Sequence, residues 1–247
     1  MTRILLALLP LALAAPALAQ DTPGPYVYAS YSVCEPATVA AADAARAASG
    51  WNAALDAHVA AGDISAWGAM AHSDGGAWTR ATYTVAPTLA ALMAFQTTWQ
   101  AELGRDHVAA RTAVRTSCTQ HTDYIWRLVA SSAAPSEAGG DRAPFGGSTY
   151  MQCGQAGLAR ADALFREAVA PTLDALVRDG AISRWTWQAH VMGGAFTRML
   201  VLDTASALAA VQAMERVGAG ASAAAMTEFS TLCPTHQDYV WGVQSSR

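Results

Sequence analysis

The chain has 247 residues, over half of them hydrophobic and only 14% charged, with a formal net charge of −4 at neutral pH. Lysine is absent, and the 15 basic residues are all arginine and form no cluster. Counterion release therefore has nothing to act on, which excludes a nucleic-acid partner. A GC-rich coding bias accounts for the arginine usage and the alanine excess together more simply than a guanidinium-rich binding surface does.

At the N-terminus, Arg3 precedes an apolar run beginning at Ile4, and Ala17-Leu18-Ala19 stands before Gln20. This layout predicts a secretory signal peptide over residues 1–19, cleaved near Ala19. A membrane anchor is the competing reading, but Pro10 and Pro16 break a run already shorter than the roughly 20 residues of a span. No cysteine follows the cleavage site to carry a lipid. The mature chain of about 228 residues is expected to be soluble, periplasmic or secreted, free of the membrane after cleavage, and a monomer or weak homo-oligomer.

The mature sequence reads as two copies. Ile64-Ser-Ala-Trp-Gly-Ala-Met-Ala-His72-Ser-Asp-Gly-Gly-Ala-Trp-Thr-Arg80 returns as Ile182-Ser-Arg-Trp-Thr-Trp-Gln-Ala-His190-Val-Met-Gly-Gly-Ala-Phe-Thr-Arg198, with ten identities at one constant offset. The copies are expected over residues 20–130 and 148–247, joined by a Gly, Ser, Ala and Pro-rich linker over residues 131–147.

Each copy opens on a strand, Tyr26–Cys34 and Ser148–Cys153, sharing Y-x-x-C. A helix follows, with Trp51, Leu55 and Val59 matched by Val169, Leu173 and Val177 as its apolar stripe. Gly62 and Gly180 end these helices, as residues needing positive φ do. The Trp-to-Gly stretch then predicts a β-hairpin, turning tightly at Asp74-Gly75 and at Gly193-Gly194. In a second helix, Leu89, Leu92 and Phe95 are matched to Leu208, Val211 and Met214. A closing strand carries C-x-x-H-x-D-Y-[IV]-W, from Cys118 to Trp126 and from Cys233 to Trp241.

The order per copy is β-α-β-β-α-β, the ferredoxin-like unit, whose sheet needs a cover on its second face. Two tandem copies provide it by packing sheet on sheet. The chain thus resembles an internally duplicated member of the dimeric α+β-barrel superfamily, of no characterised family, and the resemblance implies a single-chain pseudo-dimeric α+β barrel. That superfamily includes cofactor-free monooxygenases, haem-handling proteins and small-molecule binders, so the fold leaves function open.

Four cysteines, two per copy, in an exported chain suggest two disulfides. The first and last strands of a ferredoxin-like sheet are antiparallel neighbours, which predicts Cys34–Cys118 and Cys153–Cys233, each worth on the order of 4 kcal/mol in the chain-entropy account. The alternative, Cys118-x-x-His121 with Cys34 as a zinc or iron half-site, is disfavoured in an oxidising compartment.

His72 and His190 are the candidate catalytic residues. Alternation puts Trp185 and Trp187 on the helix-facing side of their strand, and Arg184, Gln188 and His190 on the barrel-facing side, where a histidine can serve as general base or metal ligand. The bland alternative is a hairpin-end histidine bonded to a turn carbonyl. Arg80 and Arg198 are candidate carboxylate clamps, or else arginines lying along Trp67 and Trp185. Trp78 and Phe196, at matched turn positions, and His121 and His236, each two residues before an aspartate, complete the candidate ligand contacts; the last two equally suit solvated ion pairs. No nucleophile elbow, P-loop, dinucleotide fingerprint or haem-attachment motif is present, and neither cofactor nor metal is expected. Three readings stay open: a binder of a small apolar or aromatic molecule in the barrel, a cofactor-independent oxygenase or isomerase using a histidine base, and a metal or haem binder.

Overall fold

A computed structural model describes residues 24–132 and 143–247; the expected signal peptide lies outside the described residues. The chain forms a closed antiparallel barrel of eight strands, with helices packed around the outside. The first half supplies β1 (Tyr26–Cys34), β2 (Ala66–Gly75), β3 (Arg80–Ala86) and β4 (Cys118–Ser131). The second supplies β5 (Phe145–Gln152), β6 (Arg184–Gly193), β7 (Arg198–Thr204) and β8 (Thr235–Ser246). Around the barrel they run β1-β3-β2-β8-β5-β7-β6-β4. Each half therefore forms four consecutive staves, and the halves meet at two seams, β2 with β8 and β4 with β6. Among the described residues no strand is left as an edge, which removes the exposed ladder an open sheet would present.

Two helices, not one, lie in each connection between helix-linked strands, except between β5 and β6, where one continuous helix is interrupted by a π-helical stretch. In the first half these are α1 (Pro36–Ala48) and α2 (Trp51–Ala61), then α3 (Leu89–Arg105) and α4 (Val108–Ser117). In the second, α5 (Leu158–Leu164) passes through a π-helical stretch, Phe165–Val169, into α6 (Ala170–Arg178), and α7 (Ala207–Gly220) and α8 (Ala223–Leu232) follow. Helix α1 escapes the periodicity argument because it is alanine-rich, burying only Ala42 and Arg46. Gly62 and Gly180 do sit beyond helix ends at φ 82° and 72°, and no described helix is long and apolar enough to cross a membrane.

Three expectations need correction. The linker over 131–147 loses both ends to strands, since Ser131 pairs with Thr186 and Phe145 with Thr204. The stripe of α7 is displaced by one residue: Leu208 and Val211 are exposed, and Ala210 and Ala213 face the sheet. The helix caps explain the shift, because Thr88 and Ser206 occupy the same role and align Leu92 with Ala210. Alanines let α7 approach closely, and a Cβ on Gly147 would strike Met214. The hairpins, finally, do not turn in two residues. Pairing of β2 with β3 ends at Ala71↔Arg80, closed by the His72 amide donating to the Thr79 carbonyl at 3.0 Å. Beyond it β2 runs on beside β8 as far as Gly75. Gly75 is required there by close approach and by its φ of 114°, since a Cβ would collide with the carbonyl oxygen of Asp238.

Both disulfides form as expected, Cys34–Cys118 and Cys153–Cys233. Each ties the first strand of a half to the start of its last.

Candidate functional site

The barrel interior is filled by aromatic rings. Tyr31, Tyr124, Trp126, Tyr150, Tyr239 and Trp241 are all at most 2% exposed. Trp78 and Phe196, carried on the loops after β2 and β6, close in over them. Trp78 stacks on Tyr31 at 4.4 Å and on Tyr239 at 5.2 Å between centroids, and Phe196 lies 5.7 Å from Tyr150. These two residues act as plugs of an aromatic core. Burial pushes the Tyr31 and Tyr150 phenols above their ordinary range, so both remain neutral, and the Tyr31 hydroxyl points at the Met199 sulfur.

His72 and His190 sit at the two seams, on staves that are not neighbours. His72 pairs with Trp241, its ring 6.1 Å from those of Tyr239 and Trp241. His190 pairs with Trp126 and stands 6.0 Å from Tyr124 and Trp126. The His190 Nε2 bonds the Gly193 carbonyl, as a hairpin-end histidine would, whereas the His72 Nε2 is buried with no hydrogen-bond partner among the described residues. The structure does not bring the two histidines together.

Arg80 and Arg198 lie on the outer face, opposite in sense to the histidines. Neither lies idle along a tryptophan. Arg198 grips Asp162 of α5 with Nε and Nη2, both at 2.7 Å, and gives Nη1 to the Thr197 carbonyl. Arg80 repeats this with Asp43 of α1 and the Thr79 carbonyl. The guanidinium groups thus fasten helix to sheet. Asp162 also accepts from the Trp187 indole at 2.8 Å. Burial opposes its charge, but Arg198 and Trp187 outweigh this and hold the carboxyl below the usual aspartate range. His121 and His236 are exposed, 3.5 Å and 3.4 Å from Asp123 and Asp238, as solvated pairs would be. Among the described residues, no three His, Cys, Asp or Glu side chains gather as a metal site would require.

A cavity of about 630 Å³ opens between the outer face of the first half's sheet and its helices, away from the barrel interior that the sequence pointed to. Four arginines (Arg46, Arg80, Arg111 and Arg115) and two aspartates (Asp43 and Asp123) line it, together with aromatic surface from Trp51 and Trp99 and the polar outer side chains of β1 and β3. The second half is sealed at the same place, as the matched registers make plain. Ser32 pairs with Arg80 as Met151 pairs with Arg198, and Ala69 pairs with Thr82 as Trp187 pairs with Leu200. Where the first half has Ala69 and Arg46, the second has Trp187 stacked on Phe165 at 4.1 Å, both at most 1% exposed. This substitution of small and polar for large and apolar was visible in the aligned copies, but only once α1 was known to cover the sheet. Of the candidate residues, Arg80 and His121 line the cavity; His72, His190, Trp78, Arg198, Phe196 and His236 do not.

No protein-family profile matches the chain, and no curated protein matches it. Solved structures do match in fold. A Lactobacillus acidophilus protein named as a monooxygenase superposes with a TM-score of 0.56 at 7% identity, over 90% of this chain and 95% of its own. An anthrone oxidase-like protein gives 0.52 at 10% identity, over 93% and 94%. The chlorite dismutase of Candidatus Nitrospira defluvii, in complex with imidazole, gives 0.56 at 7%, over 90% and 92%. At such identities the likeness carries the fold and nothing finer: helices around a closed barrel of eight strands, all supplied by one polypeptide.

Proposed function

We propose that this protein is an exported small-molecule-binding barrel, made by duplication of a ferredoxin-like unit, whose ligand sits in the first half between helices and sheet. The barrel itself is the core of this assembly. One observation carries the reading: equivalent positions are sealed by Trp187 and Phe165 in one half and left open by Ala69 and Arg46 in the other. The second half shows that the same fold can close this space with two aromatic side chains, Trp187 and Phe165. The A-L-A cleavage pattern and the two disulfides support export and removal of residues 1–19.

A thermal-shift screen of the mature chain against small aromatic and organic acids tests the proposal, with Ala69→Trp as control. Ligands whose stabilisation disappears in Ala69→Trp support it; ligands that stabilise both proteins equally refute it.

A second reading is favoured by the oxidase and monooxygenase names of the structural neighbours. In it the protein is a cofactor-independent enzyme, and His72, with its unpartnered Nε2, is the better base than His190. Loss of turnover in His72→Ala with an unchanged melting temperature would support it. The metal or haem reading has less to stand on, because His72 and His190 lie on separate seams and only His121 borders the cavity.

A further inference from the structure

Resting on the cavity reading above, we infer that the occupant is a small aromatic anion whose carboxylate is received by Arg46. Arg46 is 8% exposed and lines the cavity. Its only side-chain bond among the described residues is a long one, Nη2 to the Ser245 hydroxyl at 3.4 Å, and its Nε has no partner at all. The carboxylate whose charge acts on it, Asp43, is already gripped by Arg80 through Nε and Nη2. A buried guanidinium with donors unspent is expensive unless something accepts from them, and a planar carboxylate fits its fork.

Charge and shape agree. Four arginines against two aspartates give this cavity a positive balance inside a chain whose net charge is −4, so it attracts anions locally. Trp51 and Trp99, edge to face at 5.5 Å, supply an aromatic corner against which a ring can pack. The twin half shows the alternative: Phe165 stands where Arg46 does, and nothing there asks for an anion.

Calorimetric titration of the mature chain with benzoate, and with benzamide as its neutral counterpart, tests the inference. Benzoate is expected to bind at millimolar concentration or below and at least about ten-fold more tightly than benzamide. Arg46→Met should lose about ten-fold or more of benzoate affinity and Arg46→Lys less, because a lysine keeps the charge without the fork. With no ligand present, Arg46→Met should melt no lower than the parent, since it removes an unsatisfied buried charge. Equal affinity for benzoate and benzamide, no benzoate binding at about 10 mM, or unchanged binding in Arg46→Met overturns the inference. Ala69→Trp separates the two proposals. If it abolishes benzoate binding while Arg46→Met does not, the cavity is the site but the anion assignment is wrong; if it leaves binding intact, both fall.

Discussion

Asp162→Ala should damage this protein far more than Asp43→Ala, although the two aspartates do the same job in matched places. Removing Asp162 leaves the Arg198 side chain, 8% exposed, without its counter-charge and the fully buried Trp187 indole without its acceptor. Breaking a buried pair in this way costs about 4 kcal/mol. Arg80 and Asp43 have side chains 21% and 28% exposed and border an open cavity, and Ala69 presents no indole to be orphaned. Water can reach Arg80, so Asp43→Ala should cost about 1 kcal/mol. With a urea slope of about 2 kcal/mol per M, the midpoint falls by roughly 2 M in the first variant and about 0.5 M in the second. Equilibrium urea unfolding followed by tryptophan fluorescence reads both. Equal losses would refute the claim that one half is sealed and the other open, and the functional proposal would go with it.

His58 bridges Asp63 at 2.7 Å and Glu102 at 3.0 Å; burial works against its charge, but the two carboxylates outweigh it and raise the imidazole above its ordinary value. Its contribution is therefore complete below about pH 6.5 and is lost as pH rises through the raised value; melting temperature should fall across that window in the parent and stay flat in His58→Gln. Paired Cys34→Ala and Cys118→Ala substitutions open a loop spanning 84 residues and should cost about 4.5 kcal/mol, read as a midpoint shift that reductant exceeds in the parent by opening Cys153–Cys233 as well. Gly193→Ala should lose about 2 kcal/mol or more, because φ is 95° and the new Cβ would meet the Asp123 carbonyl oxygen. Gly180→Ala, at φ 72° with open space around it, should lose only about 1 kcal/mol; similar losses at both would show that close approach is not what Gly193 provides.

The repeat made the barrel legible, because identical spacings around His72 and His190 fix equivalent strands and the Y-x-x-C and C-x-x-H motifs fix which strands lie side by side. The alternation rule also put Trp185 and Trp187 toward the helices and His190 inward. What it could not show was that Tyr31, Tyr124, Trp126 and their counterparts consume the interior, since core aromatics and ligand-lining aromatics look alike in one dimension. The cavity escaped for a related reason. Arg46 and Asp43 sit in an alanine-rich helix with no apolar stripe to announce it, and a missing side chain, Ala69, is a quieter signal than a present one. The displaced stripe of α7 shows the limit of alignment by hydrophobicity: matching large residue to large residue put Leu208 in the core, when the structure uses alanines there to bring helix and sheet together.

The stave that completes the ring is the last the chain supplies. Until Thr235–Ser246 slides between β2 and β5, those two strands face each other with unsatisfied backbone groups, each a template for whatever extended segment comes by. A polypeptide shortened by a dozen residues would thus keep both its sulfur-linked first half and most of its second, and still be left with an unclosed seam inviting a neighbour's strand.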